Sequence, residues 1–210
     1  MANINKGKRQ PRYWINPSFR LNFPEFSVQW HECELSDLLL HQQLYKDSKV
    51  YGSGLNCLHV AVKMDNKGLD ILYTSVTKFE NMRLQKWIRE IIRDSIVRRA
   101  ELVLPARTHE LEKEHDLYAR KVLVKKLRGR ILGQCSHDNV ISLSPLNVIF
   151  PKRIMDVVIL HEMAHLKYHH HRKTFWDFLT QLIGEDAKKQ KTAQDIAMSK
   201  YWDFYKFLMK

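Results

Sequence analysis

The sequence contains few cysteines, and their spacing is unlike that of a disulfide framework or a zinc finger. The three cysteines, Cys33, Cys57 and Cys135, are odd in number and far apart along the 210-residue chain. This usage favours free thiols in a reducing compartment. We therefore expect a cytoplasmic protein whose cysteines are neither paired with one another nor ligands of a metal.

Long apolar runs are also missing. No apolar segment approaches the roughly 18 residues that a membrane-spanning helix requires. The basic N-terminus has no apolar stretch behind it that would make a secretory signal. Low-complexity tracts and internal repeats are absent as well. With 44% apolar residues, the composition predicts a globular protein with no membrane partner.

Acidic residues are outnumbered by basic ones, 23 against 35, which gives a formal net charge of +12. Such an excess favours an anionic partner such as nucleic acid, although a solvated basic surface without a dedicated partner is the simpler alternative. The best-defined basic face belongs to an amphipathic helix predicted at residues 80–103. Nucleic acid would bind this face through Arg83, Lys86, Arg89 and Arg93.

The most informative stretch reads HEMAH at residues 161–165, and His171 follows six residues later. In a helix, His161 and His165 lie one turn apart on the same face, about 6 Å along the axis. Both imidazoles can then reach one tetrahedral zinc ion. Glu162, beside the first ligand, can act as the general base on a water molecule. A third protein ligand would leave one position open, which is typical of a catalytic site.

The sequence before this stretch predicts that its helix faces inward. Pro151 fits the first helical position, and Ile154 and Val158 continue the stripe of His161 and His165. Polar side chains on an inward face need partners that offset their desolvation, and a metal ion supplies them. Spacing alone leaves the third ligand open among three consecutive residues, His169, His170 and His171.

The pattern of strands and helices predicts an α+β fold. We expect a β-hairpin from strands at residues 58–64 and 69–76, and further strands at residues 121–127 and 139–143. Pro105 should end the helix at residues 80–103, with a polar helix at residues 109–116 behind it. The remaining helices are expected at about residues 151–167, 175–183 and 186–210. A small antiparallel or mixed sheet would then pack against the HExxH helix.

The chain divides into three predicted parts. Residues 1–50 form an arm rich in proline, aromatic and basic residues, with a short helix at residues 34–46. Residues 51–184 form the catalytic domain, and residues 185–210 form a C-terminal helix that packs on it. The alternation of aromatic and basic residues in the arm fits packing on the domain or binding of single-stranded nucleic acid, and we favour packing.

Residues 161–176 read HEMAHLKYHHHRKTFW and resemble the signature of the YgjP-like zinc metallopeptidases, relatives of the SprT-like proteases. The similarity extends over about residues 55–184. It implies a zincin-like fold, one zinc ion per chain and a protein or peptide substrate. It also implies His171 as the third ligand, because Phe175 and Trp176 follow it at the spacing of the family. One departure is clear: this chain has Ile131 and Leu132 where the family usually has Arg and Trp.

Together these features predict a zinc metallopeptidase with Glu162 as general base and His161, His165 and His171 as metal ligands. The SprT-like relatives imply proteins bound to nucleic acid as a substrate class. The alternative is a non-catalytic zinc module that holds a polyanion on its basic surface. Glu162 separates the two hypotheses, because a structural zinc site needs no carboxylate beside its ligands.

Two details of the mechanism remain open in the sequence. A second electrophile would stabilise the negative charge that develops on the substrate carbonyl oxygen. The candidates near the metal along the chain are Tyr168, His169, His170 and Arg172. In similar zincins the substrate lies antiparallel to an edge strand beside the helix, and the strand that ends at Leu143 is predicted for this role.

Overall fold

The computed structural model of the chain describes residues 14–44, 49–52, 58–62 and 67–209. Within these residues the chain forms eight strands and five α-helices, so the fold is α+β as predicted. The strands are β1 (Leu21–Asn22), β2 (Ser27–Glu32), β3 (Lys49–Tyr51), β4 (Leu58–Val62), β5 (Gly68–Tyr73), β6 (Lys121–Val124), β7 (Gly133–Cys135) and β8 (Val140–Leu143). The helices are α1 (Leu35–Leu44), α2 (Met82–His115), α3 (Lys152–Ala164), α4 (Lys173–Ile183) and α5 (Ala187–Met209).

The first sheet has five strands in the order β1-β2-β5-β4-β3. β2 runs parallel to β5. The other three pairs, β1 with β2, β3 with β4 and β4 with β5, are antiparallel. β4 and β5 pair side by side, which confirms the predicted hairpin strands. The end of the first predicted strand and the first half of the predicted turn, residues 63–66, lie outside the described residues. β1 and β2 come from the predicted arm, so the arm contributes two strands to this sheet, and β3 spans its predicted end at residue 50.

The second sheet has three strands in the order β6-β8-β7. β8 is parallel to β6 on one side and antiparallel to β7 on the other. The strand that ends at Leu143 is therefore the central strand, and its prediction as the edge for a substrate was wrong. Its backbone groups already bond to two neighbours. β7, which packs against α3, is the edge strand on that side of the sheet.

Helix α2 continues through Pro105, so the prediction that Pro105 ends the helix was wrong, as was a separate helix at residues 109–116. A proline inside a helix costs about 3 kcal/mol, because it removes one hydrogen bond and crowds the preceding turn. Leu104 and Thr108 on either side of it are fully buried. Each buried apolar side chain contributes roughly 1.5–3 kcal/mol, so the long buried stripe of α2 outweighs the proline.

The ends of α2 follow the usual capping rules. Asn81 caps the N-terminus, where its side chain accepts from the backbone N–H groups of Arg83 and Leu84. Asp116 ends the helix in the left-handed conformation, with φ of 50°.

An ion pair between Arg107 and Asp156 joins α2 to α3. Arg107 Nε lies 2.8 Å from one carboxylate oxygen and Nη2 lies 3.0 Å from the other.

The aromatic residues of the arm pack on the rest of the molecule. Phe23 meets Tyr201 of α5 edge to face with ring centroids 5.6 Å apart, and Phe19 lies 5.8 Å from Phe204 of the same helix. Packing is thus what the structure shows for residues 14–30. The arm's basic residues at positions 6, 8, 9 and 12 lie outside the described residues. The boundaries at residues 50 and 184 stay predictions.

No helix in the part of the chain that the structure describes is both long enough and apolar enough to cross a membrane.

Candidate metal centre

Helix α3 carries the first two histidines to one point at its C-terminal end. Val158 and Ile159 bury the helix against the core, and His161 follows one turn later on the same element. His165 is the residue that ends the helix. The two imidazole rings lie 5.1 Å apart between centroids and nearly perpendicular. The helical spacing read from the sequence therefore produces the predicted pair.

The turn between α3 and α4 returns the third histidine to the same point. His171 Nε2 lies 3.0 Å from His161 Nε2. One ring nitrogen from each of His161, His165 and His171 lies within 4.8 Å of the other two. Zinc–nitrogen bonds of 2.0–2.1 Å in a tetrahedron place ligand nitrogens about 3.3 Å apart. The geometry of this three-histidine cluster, His161, His165 and His171, is therefore close to that of a metal site.

Neighbouring groups fix the orientation of these rings. His165 Nδ1 lies 2.8 Å from the carbonyl oxygen of Tyr168, and because a carbonyl only accepts, Nδ1 carries the proton. Nε2 of His165 is then left with its lone pair for a metal. Phe175, which is fully buried, stacks on the His165 ring at 4.6 Å. Trp176 Nε1 donates to the carbonyl oxygen of His171 at 3.0 Å. The Phe-Trp pair thus holds the site in place.

The electrostatics of the cluster favour neutral imidazoles. Burial, followed by the charges of the neighbouring histidines, lowers the pKa of His161 to about 3. Burial is also the largest cause that lowers the pKa values of His165 and His171. Only the neutral ring offers a lone pair to a metal, so all three side chains are in the protonation state that a metal ligand requires.

Glu162 lies beside the cluster and is 6% exposed. Burial raises its pKa to about 8, while a hydrogen bond from the backbone N–H of Cys135 and the charge of Lys191 act in the opposite direction. Gly133 of the same strand lies so close that a Cβ atom there would be 2.6 Å from Glu162 Cγ and 2.7 Å from Oε1. Strand β7 therefore confines the carboxylate from one side.

The other two histidines of the run lie apart from the cluster. The His169 ring is 4.9 Å from that of His137, and His170 Nδ1 accepts from the backbone N–H of Arg172 at 3.3 Å. Among the described residues, His161, His165 and His171 form the one group of histidine, cysteine and acidic side chains with metal-site spacing. The fold thus brings His171 to the first two histidines and leaves His169 and His170 outside.

Lys191 is the residue near the site that the sequence analysis missed. It lies on α5 in the stripe of buried positions that includes Ala187, Gln194 and Met198. Its positive charge lowers the pKa values of His161, Glu162 and His171, as a smaller cause than burial. Its Nζ forms an ion pair with Asp195. A lysine at helical spacing among apolar positions was the available signal, but only the packing of α5 on α3 shows what it faces.

The backbone of β7 presents polar groups at the edge of the sheet. Ser136 N–H donates to Val140 O, and Ser144 N–H donates to Leu132 O, so these residues bond across to β8 and its extension. In an antiparallel pair every second residue bonds to the partner strand, and the alternate residues point their N–H and C=O groups the other way. Gly133 and Cys135 therefore direct their backbone groups away from β8, and the Cys135 N–H reaches Glu162.

The basic face predicted on α2 is partly occupied by other contacts. Lys86 Nζ lies 3.9 Å from Glu90, and Arg93 contacts Asp94 at 3.0 Å. The guanidinium of Arg89 lies 5.8 Å from the ring centroid of Phe207. Arg83 is exposed. Acidic neighbours thus pair with two of the four predicted cations, and nucleic-acid binding by this face stays a prediction.

Comparison with protein families matches residues 50–194 to the YgjP-like family, described as the YgjP-like metallopeptidase domain. The matched segment is more than half of the chain, and it includes the three-histidine cluster, Glu162 and Lys191. Comparison with curated proteins and with solved structures gives no significant match.

Proposed function

The chain belongs to the YgjP-like metallopeptidase family, and we propose that it hydrolyses peptide bonds at the three-histidine cluster with Glu162 as general base. One observation carries this proposal: three imidazole nitrogens converge within 4.8 Å of one another beside a buried carboxylate of the same helix. The substrate is a protein or peptide. Proteins bound to nucleic acid are the class that the resemblance to SprT-like proteases leads us to expect.

We propose one zinc ion per chain, held by Nε2 of His161, His165 and His171. Three neutral imidazoles at this spacing suit zinc and leave a fourth position open. Bound there, zinc supplies a Lewis acid that makes water more acidic and polarises the substrate carbonyl. The hydrogen bond from His165 Nδ1 to the carbonyl of Tyr168 keeps that ring turned toward the cluster.

Glu162 takes the proton of the attacking water and passes it to the leaving amine in this proposal. Burial raises the pKa of Glu162 to about 8, and the positive charge of a bound zinc ion would lower it again and so favour the carboxylate form that a base requires. The backbone N–H of Cys135 and the close approach of Gly133 hold it in position. A base held in this way needs little rearrangement during the reaction.

A peptide substrate is proposed to extend the three-stranded sheet at β7. The backbone groups of Gly133 and the carbonyl of Cys135 point to this edge and can bond to an antiparallel peptide. Gly133 brings no side chain into the narrow space beside Glu162. β7 thus takes the role that the sequence analysis gave to the strand ending at Leu143.

Lys191 is proposed as the second electrophile. The negative charge on the substrate carbonyl oxygen grows as the water attacks, and a nearby ammonium stabilises that charge more than it stabilises the neutral carbonyl. Lys191 acts from α5, on the inward stripe that packs toward α3. Its ammonium forms an ion pair with Asp195 one turn later on the same helix.

Elemental analysis of single variants tests this ligand set. The purified protein should contain one zinc per chain, and His171→Ala should lose most of it. His169→Ala and His170→Ala are matched controls that should keep it. Zinc loss in either control but not in His171→Ala would refute the ligand set.

Casein cleavage tests the activity. A chelator should abolish cleavage, and added zinc should restore it. A full complement of zinc with no cleavage of casein, with or without single-stranded DNA, would instead favour the non-catalytic module.

A further inference from the structure

A cleft away from the metal centre lies between the loop at residues 125–132 and the last turns of α5. Its volume is about 420 Å³, within the range of sites for small ligands. Lys126 Nζ donates to the carbonyl oxygen of Met209 at 2.8 Å and so ties the loop to the helix. Gly129 adopts φ of 61° in this loop.

The apolar part of the lining is aromatic. Trp202 and Tyr205 stack with ring centroids 5.5 Å apart and an interplanar angle of 29°. Both line the cleft together with Leu127 and Met209. Trp202 is half-buried, and Lys206 Nζ lies 5.9 Å from its ring centroid, so only part of the indole remains accessible. An accessible flat ring at the side of a cleft offers a surface on which a second planar group can stack.

The polar part of the lining is cationic. Lys126, Arg128 and Lys206 line the cleft, and no carboxylate does so within the part of the chain that the structure describes. Arg130 adds a guanidinium 5.5 Å from the ring centroid of Trp202. Lys206 pairs with Asp203 at 2.9 Å. Among the described residues no carboxylate contacts Arg128, nor does one contact Arg130, and both arginines are exposed.

We propose that this cleft binds one nucleotide of a single-stranded nucleic acid. A base stacks on Trp202 or on the guanidinium of Arg130, and the flanking phosphates meet Arg128 and Arg130. A duplex keeps its bases inside the stack and offers only phosphates. An acidic peptide offers charge without a planar ring at each position, so it makes less use of the indole.

The loop that lines the cleft leads directly to the metal centre. The same loop continues through Ile131 and Leu132 into β7, whose Gly133 lies against Glu162. A strand bound in the cleft therefore lies beside the start of the proposed peptide-binding edge. The inference goes beyond the proposed function and does not depend on it, because binding is measured without hydrolysis.

The proposal is tested by fluorescence anisotropy with the full-length zinc-loaded protein. The probe is a labelled oligothymidylate of about twelve nucleotides. Replacing both arginines, Arg128→Gln with Arg130→Gln, should weaken binding at least about tenfold. The slope of log affinity against log salt should become shallower by about 1.4, because two phosphate contacts are lost. The matched control, Lys188→Gln with Lys189→Gln near the start of α5, removes the same charge from two exposed lysines and should change affinity less than about twofold.

The aromatic contribution is tested separately at Trp202. Trp202→Ala should weaken binding about tenfold, whereas Trp202→Phe, which keeps a ring, should retain most of the affinity. Equal losses in the two double variants would leave only a general effect of net charge and overturn the proposal. It is also overturned if the oligothymidylate does not bind, or if a duplex or polyglutamate of equal charge binds as tightly.

Discussion

Gly133 determines how closely β7 approaches the proposed general base. A Cβ atom at this position would lie 2.6 Å from Glu162 Cγ, well inside van der Waals contact, so Gly133→Ala must displace the carboxylate or the strand. A displacement of about 1 Å at a reacting group can reduce the rate roughly 100-fold. We expect casein cleavage to fall by about that factor while zinc content stays at the wild-type level.

Gln134→Ala is the control for this variant, because the neighbouring side chain in β7 is exposed. It should cleave casein at close to the wild-type rate. If Gly133→Ala cleaves casein as well as Gln134→Ala does, the close approach of β7 has no part in placing Glu162.

Lys191 is the residue at which a charge effect can be separated from a packing effect. Lys191→Met keeps most of the side-chain volume and removes the ammonium, so kcat should fall at least about tenfold with a smaller change in KM. Zinc content should not change, because Lys191 is no ligand. Steady-state cleavage of casein, with zinc measured on the same samples, checks both expectations.

Lys189→Met changes an exposed lysine of the same helix and is the matched control for Lys191→Met. Its kinetics should match those of the wild type. Equal kinetic effects of the two variants, or an effect of Lys191→Met confined to KM, would remove Lys191 from the proposed mechanism.

The sequence predicted some site residues better than others because of how each is positioned. The prediction of His161, Glu162 and His165 depends on helical spacing, which is a local property of five consecutive residues. His171 came from the family resemblance, since the spacing of three consecutive histidines left the choice open. Gly133 and Lys191 reach the site through the packing of β7 and α5 on α3, and no local pattern reveals that packing.

At the scale of elements, the contact between α2 and α3 holds the helix that carries the histidines. Arg107 and Asp156 are 18% and 21% exposed, and the guanidinium donates a hydrogen bond to each carboxylate oxygen. Hydrogen bonds between charged groups contribute roughly 1.5–3 kcal/mol. Arg107→Met should therefore lower the free energy of unfolding by about 2 kcal/mol, measured by urea denaturation.

A double-mutant cycle distinguishes this ion pair from a loss of packing. Asp156→Asn alone should also destabilise the protein, and adding it to Arg107→Met should cost little more. Strictly additive losses would mean that the two side chains do not stabilise each other. Glu110→Gln is a useful control, because Glu110 also contacts Arg107 but is largely exposed.

Element prediction from the sequence failed where tertiary packing overrides a local rule. Pro105 is a helix breaker by propensity, yet α2 continues because its buried stripe is long. The strand ending at Leu143 was expected at an edge, but strand order depends on which segments pair with it. The hairpin of β4 and β5 and the end of α4 at Gly184, which has φ of 73°, could be predicted because each depends on adjacent residues.

At the scale of the molecule, the formal charge of +12 is distributed unevenly among the basic surfaces. On α2, Lys86 and Arg93 have acidic neighbours. Arg128 and Arg130, in the loop before β7, have no carboxylate in contact among the described residues. Composition predicted the charge excess and an anionic partner. Only the fold indicates which basic side chains remain available to an anionic partner.

The central claim is that Glu162 acts as a base beside a zinc ion that it does not bind. Measuring zinc content and casein cleavage of Glu162→Gln beside the wild-type protein tests this directly. Glutamine is nearly isosteric and still accepts the Cys135 N–H, but it cannot take the proton of water. We predict one zinc per chain and cleavage reduced by about 10²–10⁴-fold. Loss of zinc together with activity, or undiminished cleavage, would contradict the account.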